Sequence, residues 1–237
     1  MKALLLAAGL GTRLRPLTDS IPKCLVPIAG RPLLGWWLEL LEREGITGLR
    51  INLHHFPEQV ERFLSQYNGP IMVETVYEPE LLGSAGTIAA SREFVDQEEP
   101  FYILYGDNLT NVRLRDLLEH NRRYPAVLTV GLFHAANPSA CGVAERGEGD
   151  QGVITSFVEK PEHPTSDLAS AGMFVAHPEL LGELNPDVTQ PYDFGGTVMP
   201  GLAGQMNGVI LDGYIRDIGT HESLRRGIEE WQGIRHD

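Results

Sequence analysis

The sequence predicts an α/β protein, and three observations carry that expectation. Short apolar runs alternate with amphipathic helical spacing through the first half of the chain, the order expected of strands joined by crossover helices. The first of these runs, KALLLAAG over residues 2–9, is closed by a glycine, and polarity begins only at Thr12. The 237 residues are 42% hydrophobic, enough to fill one large core.

Taken in order, residues 2–8 read as a buried strand. Pro16, Pro22 and Pro27 then remove backbone donors, so residues 9 to about 30 are expected as an extended loop over the strand's end. A loop of that length in a compact domain is usually functional or disordered. RPLLGWWLELLEREG (31–45) follows as a helix, with Pro32 near its start, Gly45 at its end and Leu34, Leu38 and Leu41 on one stripe. LRINLHH (49–55) is a second strand, and PEQVERFLSQYNG (57–69) a helix with Val60, Phe63, Leu64 and Tyr67 on one face. IMVETVYE (71–78) makes a third strand, SAGTIAASREFV (84–95) a helix, and FYILYGD (101–107) a fourth strand ending in an acid; LRDLLEHNRRY (114–124) and AVLTVGLF (126–133) repeat the alternation. From about residue 140 the rhythm changes. Residues 141–161 read as two strands around a Gly-rich hairpin and SAGMFVAH (170–177) as another strand. Helices are expected at Pro178 to Leu184, near Gly196 to Ala203, and over HESLRRGIEEWQ (221–232). No repeat or low-complexity linker divides the chain. It reads as one domain over residues 1–237, with a first half to about 110 and a second from about 111.

Charge narrows the partners. A net charge of −13 argues against nucleic acid, whose binders concentrate positive charge. Residues 1–31 nevertheless gather Lys2, Arg13, Arg15, Lys23 and Arg31 against Asp19 alone, a local cationic patch suited to a small anion. No apolar run approaches the roughly 20 residues of a membrane span, and the start lacks a signal peptide's cleavage region. Two distant cysteines, Cys24 and Cys141, suggest neither a disulfide framework nor a zinc site, so a soluble protein of the reducing cytoplasm is expected.

Gly9 and Gly11, at a strand end, let backbone N–H groups approach phosphate. A dinucleotide fingerprint would need a third glycine where Leu14 stands, and an acid after the second strand where His54 and His55 stand. A Walker A loop is absent from the sequence. Asp107, at the end of an apolar strand, reads alone either as a turn cap with Asn108 or as a metal ligand.

Residues 6–34, LAAGLGTRLRPLTDSIPKCLVPIAGRPLL, resemble the opening signature of the sugar-1-phosphate nucleotidyltransferases. The resemblance continues in order through EPELLGSAGTI, YGDN, FVEKP, SAGMFV and RDIGTHESL, nearly the whole chain. It implies a Rossmann-like three-layer α/β/α fold with a mixed, mostly parallel central sheet, a nucleotide-binding first half and a sugar-phosphate-binding second half. The activity implied is attack of a sugar 1-phosphate on the α-phosphorus of a nucleoside triphosphate, with Mg²⁺. The substrates are then the partners, with no nucleic acid or membrane, and a homo-oligomer is compatible with the pattern. Many relatives continue into a β-helix, and none is expected here.

The resemblance also assigns roles. Arg13 and Lys23 become the catalytic cations, on the leaving phosphates and on the α- or acceptor phosphate. Arg15 is either a third phosphate ligand or a solvated rim residue. Ala8, Gly9, Gly11, Thr12 and Arg13 form the nucleotide turn, with Glu78 and Gly83 on the base side. Asp107 and Asp217 become the Mg²⁺ carboxylates. Glu159 and Lys160 contact the sugar and its phosphate, and Gly172 lets the sugar approach the backbone. Ser170 stands where the family often has Asn, which puts its own sugar contact in question. Glu78 could accept from the N1–H and N2–H₂ edge of guanine, which favours GTP; the rival reading makes it a loop carboxylate and the base uracil or thymine. A mannose- or heptose-1-phosphate guanylyltransferase is the first expectation, a uridylyl- or thymidylyltransferase the second, and a non-catalytic regulatory subunit the third. His54 and His55 are on opposite faces if both lie in the strand, so at least one is structural. Trp36, Trp37 and Trp231 read as packing residues, Asp193 and Phe194 as a structural loop, and Cys24 has no chemical role.

Overall fold

Strand β1 (Lys2–Leu6) lies inside a nine-stranded sheet, and its alternation builds two cores. Ala3 and Leu5 enter one and Leu4 the other. The computed structural model describes residues 1–95, 100–185 and 191–231. After β1 the chain makes three short 3-10 turns, at Thr12–Leu14, Leu17–Asp19 and Lys23–Leu25, and a small hairpin of β2 (Pro27–Ile28) and β3 (Arg31–Pro32). The expected extended loop is thus folded into turns. The prolines that forbid an α-helix still permit isolated i→i+3 bonds such as Leu25 N–H to Pro22 O.

Helix α1 (Leu33–Arg43) leads to β4 (Gly48–Leu53), α2 (Pro57–Leu64) to β5 (Met72–Tyr77), and α3 (Gly83–Ala90) with α4 (Arg92–Val95) to β6 (Phe101–Tyr105). β5, β4, β1 and β6 pair in parallel in that order. Residues 84–95, expected as one helix, are two. Ser91 N–H is shared between the Thr87 and Ile88 carbonyls, and the turn restarts when Phe94 N–H bonds Ser91 O.

The second half comprises β7 (Asn108–Thr110), α5 (Leu114–Arg123), β8 (Leu128–His134), β9 (Gly142–Arg146), β10 (Val153–Glu159), β11 (Leu168–Ala176), β12 (Met206–Ile210), β13 (Ile215–Asp217) and α6 (His221–Trp231). The large sheet runs β5-β4-β1-β6-β11-β8-β12-β10-β9, and Ala169 opposite Val143 pairs β11 with β9, so its last five strands close into a ring. The sheet is mixed, as expected, but not mostly parallel. Its parallel pairings are the three above and β12–β8, while β11 and β10 pair antiparallel with each of their neighbours. The β9–β10 hairpin explains part of this, because a short turn can join strands only in antiparallel fashion.

Helices cover both faces. Trp37 and Leu41 of α1, Val60 of α2, Leu117 of α5 and Leu224 of α6 share the core of Leu5, while Ile88 of α3 and Phe94 of α4 share that of Leu4. The two helices expected near 178–184 and 196–203 are shorter turns. Pro178–Gly182 and Met199–Leu202 are 3-10, and Phe194–Val198 is a single π-type turn. Two adjacent glycines and Pro200 give that stretch little helical propensity. Of the expected C-terminal helix, Gln232 lies outside the described residues. Trp36 and Trp231 meet edge to face at 5.4 Å and Trp37 is buried, all in packing positions.

Phe174 on β11 is central to the second core, 1% exposed and edge-on to both Tyr105 and Phe194. Phe174→Ala is expected to cost about 3–5 kcal/mol, the usual range for a buried phenylalanine. Urea unfolding reads this directly, and an unchanged midpoint would remove the ring from the core.

Candidate active site

A cavity of about 530 Å³ opens beyond the C-terminal ends of β1, β4 and β6, where parallel α/β sheets hold their ligands. Residues 8–13 line it, with Lys23, Glu78, Gly83 and Asp107. The turn after β1 folds this way because Gly11 takes φ 62° and its carbonyl accepts from Leu14 N–H and the Thr18 hydroxyl. A Cβ at Gly11 would stand 2.8 Å from Thr18 Cγ2, so both the angle and the space require glycine.

Lys23 is the cation this turn buries. Its side chain is 8% exposed, and Nζ lies 2.8 Å from Asp107 Oδ2 and 3.3 Å from Asp217 Oδ1. Burial alone would lower its pKa, but the two carboxylates together outweigh burial and hold it above the ordinary lysine value, so Lys23 remains a cation. Asp107 stands two residues past the end of β6, and Asp217 ends β13, whose pairing with β7 sets Asp217 opposite Asn108. Two carboxylates 110 residues apart thus converge on one ammonium. Arg13 completes the group, its guanidinium exposed and 4.0 Å from Asp217 Oδ2. Arg15 instead pairs with Asp19 at 3.2 Å and is not among the residues lining the cavity.

On the opposite wall Glu78 is 3% exposed, and its carboxylate is held from three sides. Oε1 accepts from Asn52 Nδ2 at 2.9 Å and from the Thr87 hydroxyl at 2.6 Å, and Oε2 from Leu82 N–H at 3.2 Å. Asn52 also accepts from Ala7 N–H at 2.7 Å, tying this network to β1. Sequence reasoning passed over Asn52 and Thr87; the signal was a polar residue inside each of two apolar stretches, RINL and TIAA. His54 and His55 lie past the end of β4, so the opposite-faces argument does not apply to them. Each ring bonds a backbone carbonyl, His54 that of Glu78 and His55 that of Thr18, both at 2.8 Å.

Glu159, Lys160, Gly172 and Asp217 border the cavity without lining it. Lys160 Nζ is 2.9 Å from Glu159 Oε1, and Lys160 itself adopts φ 48°. Gly172 sits at a break in the β11–β8 register with φ 65°; a Cβ there would be 2.8 Å from Asn108 Nδ2 and 3.0 Å from Tyr105 Cβ. Ser170 turns its hydroxyl to accept from Gly172 N–H at 3.3 Å. Asp193, expected as a structural loop residue, lines the cavity beside Ser84 and Tyr105. The Cys24 thiol also faces it, but burial pushes its pKa up to about 12, so it stays protonated and is no nucleophile.

The site can therefore hold a polyanion between Arg13, Lys23 and the backbone of residues 8–13, with two carboxylates beside it. A sequence model of the family named nucleotidyl transferase matches residues 2–232. The chain belongs to that family. A mannose-1-phosphate guanylyltransferase catalytic subunit beta from Danio rerio is 33% identical to this chain over 233 residues, 96% of this chain and 64% of the relative. A mannose-1-phosphate guanyltransferase from Gibberella zeae is 31% identical over 232 residues, again 96% of this chain and 63% of the relative. The chain thus spans somewhat under two thirds of the length of these curated relatives. Among solved structures, a UDP-glucose pyrophosphorylase complexed with UDP-glucose superposes with a TM-score of 0.85 at 21% identity, covering 99% of both chains. HddC from Yersinia pseudotuberculosis complexed with GMP-PN gives a TM-score of 0.79 at 22% identity, covering 97% of this chain and 99% of that chain. At such identities the likeness speaks for the Rossmann-like nucleotidyltransferase fold. No helix among the described residues is long and apolar enough to cross a membrane.

Proposed function

We propose that this protein transfers a nucleotidyl group from a nucleoside triphosphate, GTP first, to a mannose- or heptose-like sugar 1-phosphate. The observation that carries the reading is the Lys23 ammonium between Asp107 and Asp217, beside Arg13 and at the floor of a cavity large enough for a nucleotide. An oxygen of the acceptor phosphate bonds to the α-phosphorus, and the bond to the bridging β-phosphate oxygen breaks, its electron pair leaving with pyrophosphate. A phosphate monoester has a second pKa of about 6, so at neutral pH the attacking group needs no base. The protein's task is to align two anions and to stabilise charge on the leaving oxygens. Arg13 offers a guanidinium fork to the β- and γ-phosphates and Lys23 a point charge to the α-phosphate. Glu159 accepts from the sugar hydroxyls and Lys160 receives the sugar phosphate, with Gly172 opening the backbone to the sugar.

Asp107 and Asp217 fit Mg²⁺. Both are about half exposed, offer hard oxygen atoms, and leave positions open for water and phosphate. When bound there, the ion would neutralise charge on the phosphate oxygens. The retention of Arg13, Lys23, Asp107 and Asp217 together disfavours a binding-only subunit.

Guanine is placed first because Glu78 lines the base side of the cavity, and with Oε1 accepting from Asn52 and Thr87 and Oε2 from Leu82 N–H alone, Oε2 keeps an acceptor position for a donor of the guanine edge. The names of the curated relatives point the same way. The domain is read as one unit, residues to about 110 supplying the nucleotide side and the rest the acceptor side, working in the cytoplasm where such substrates are made. Pyrophosphate release over GTP, UTP, dTTP and ATP against several sugar 1-phosphates tests the whole reading. GTP should exceed UTP by at least about tenfold, a difference of about 1.4 kcal/mol. Equal rates would take base selection away from Glu78, and no release with any pair would remove the proposed activity.

A further inference from the structure

We propose that Asp193 is a positioning residue for this transfer, acting through Ser84 to hold the base-side turn in register with the acceptor side chains; the inference rests on the activity proposed above. The turn at residues 82–86 and the segment 192–194 are joined by five hydrogen bonds across more than a hundred residues of sequence. Ala85 N–H and Gly86 N–H both donate to Tyr192 O, at 2.8 and 3.4 Å, and Tyr192 N–H donates to Leu82 O at 2.9 Å. The Ser84 hydroxyl donates to Asp193 Oδ2 at 2.9 Å and accepts from Phe194 N–H at 2.7 Å. The fit is close enough that a Cβ on Gly83, which has φ 76°, would stand 2.5 Å from Tyr192 N.

Asp193 links two walls of the cavity. One carboxylate oxygen holds Ser84 on the nucleotide side; the other accepts from Gly196 N–H at 2.6 Å. The Gly195–Gly196 pair in turn packs against Glu159, since a Cβ on Gly195 would lie 3.0 Å from Glu159 Oε2. A continuous set of contacts therefore runs from the turn that follows Glu78 to the acceptor pair Glu159 and Lys160. In-line displacement rewards such a link, because a misplacement of about 1 Å between reacting groups can cost about 10²-fold in rate.

Two variants separate this role from simple helix capping. Asp193→Ser keeps a hydroxyl able to cap Gly196 N–H but is too short to hold Ser84 as well. Ser84→Ala removes the clasp and leaves the cap. Each should lower kcat at least about tenfold with each KM within about threefold and the melting temperature near that of the parent, and the double variant should be no slower than the slower single one. Parental kcat in either variant, or losses that multiply in the double, would overturn the proposal. Amide hydrogen exchange needs no turnover: protection over residues 82–86 should fall in both variants, and unchanged protection would overturn the clasp. A protein that releases pyrophosphate yet shows that result keeps its activity and loses only this inference, whereas a clasp confirmed by exchange in a protein that releases none retires the proposed reaction and with it the positioning role.

Discussion

Lys23→Ala is expected to lower turnover by about 10²–10³-fold, the usual cost of deleting one preorganised donor that stabilises developing charge. The ammonium is buried, fixed by Asp107 at 2.8 Å and Asp217 at 3.3 Å, and so presents its charge without reorganising when phosphate arrives. Lys23→Arg should not restore the rate. A guanidinium is larger and planar, whereas the buried position at the end of this side chain holds a compact ammonium 2.8 Å from Asp107 Oδ2 and 3.3 Å from Asp217 Oδ1. Because the carboxylates hold the folded-state pKa of Lys23 above its ordinary value of 10.5, its contribution to stability is fully present below that value. It is lost only as pH rises through the raised folded pKa, so no Lys23 titration should shape activity near neutrality. Steady-state kinetics, with circular dichroism to establish folding, decides the matter; a well-folded alanine variant retaining nearly full kcat would remove Lys23 from the chemistry.

Chelation is the second large effect. Removal of divalent cations is expected to abolish pyrophosphate release and added Mg²⁺ to restore it, with Asp107→Asn and Asp217→Asn each shifting the Mg²⁺ activation curve to higher concentration. Amides bind Mg²⁺ far more weakly than carboxylates, and a site with only two protein carboxylates has none to spare. Each substitution also removes a partner from Lys23, so the two carboxylates should be tested singly and together. If both single variants showed the parental activation curve, the ion would have to be held elsewhere.

The parallel half of the fold was legible because each buried strand is a short apolar run closed by Gly, Pro or a polar turn, and local pattern suffices there. The antiparallel half was only partly so. Nothing in LASAGMFVA says that this strand will insert between β6 and β8, since partner choice is decided by the whole sheet. The stretches at Pro178 to Leu184 and near Gly196 to Ala203 read as helices but are shorter turns, because hydrophobic spacing over a few residues does not distinguish one turn from several. At the site, Arg13, Lys23 and Asp107 announced themselves as charges beside glycines or at a strand end. Asn52 and Thr87 did not, because a single polar residue in an apolar run is equally a core residue satisfied by a neighbour. Asp193 was read as structural, and its second bond, to Ser84, is a tertiary contact that no local spacing encodes.

The pairing of Ala169 with Val143 has a further consequence for how the molecule meets others. By tying its outermost strand back to β11, the β9 end of the large sheet offers little unsatisfied backbone to an incoming chain. The other margin, β5, is a six-residue ribbon with Met72, Val76 and Tyr77 exposed, and it carries neither proline nor lysine to discourage annealing. Lateral growth of the sheet, whether useful or pathological, is thereby directed to the β5 margin and away from the closed ring.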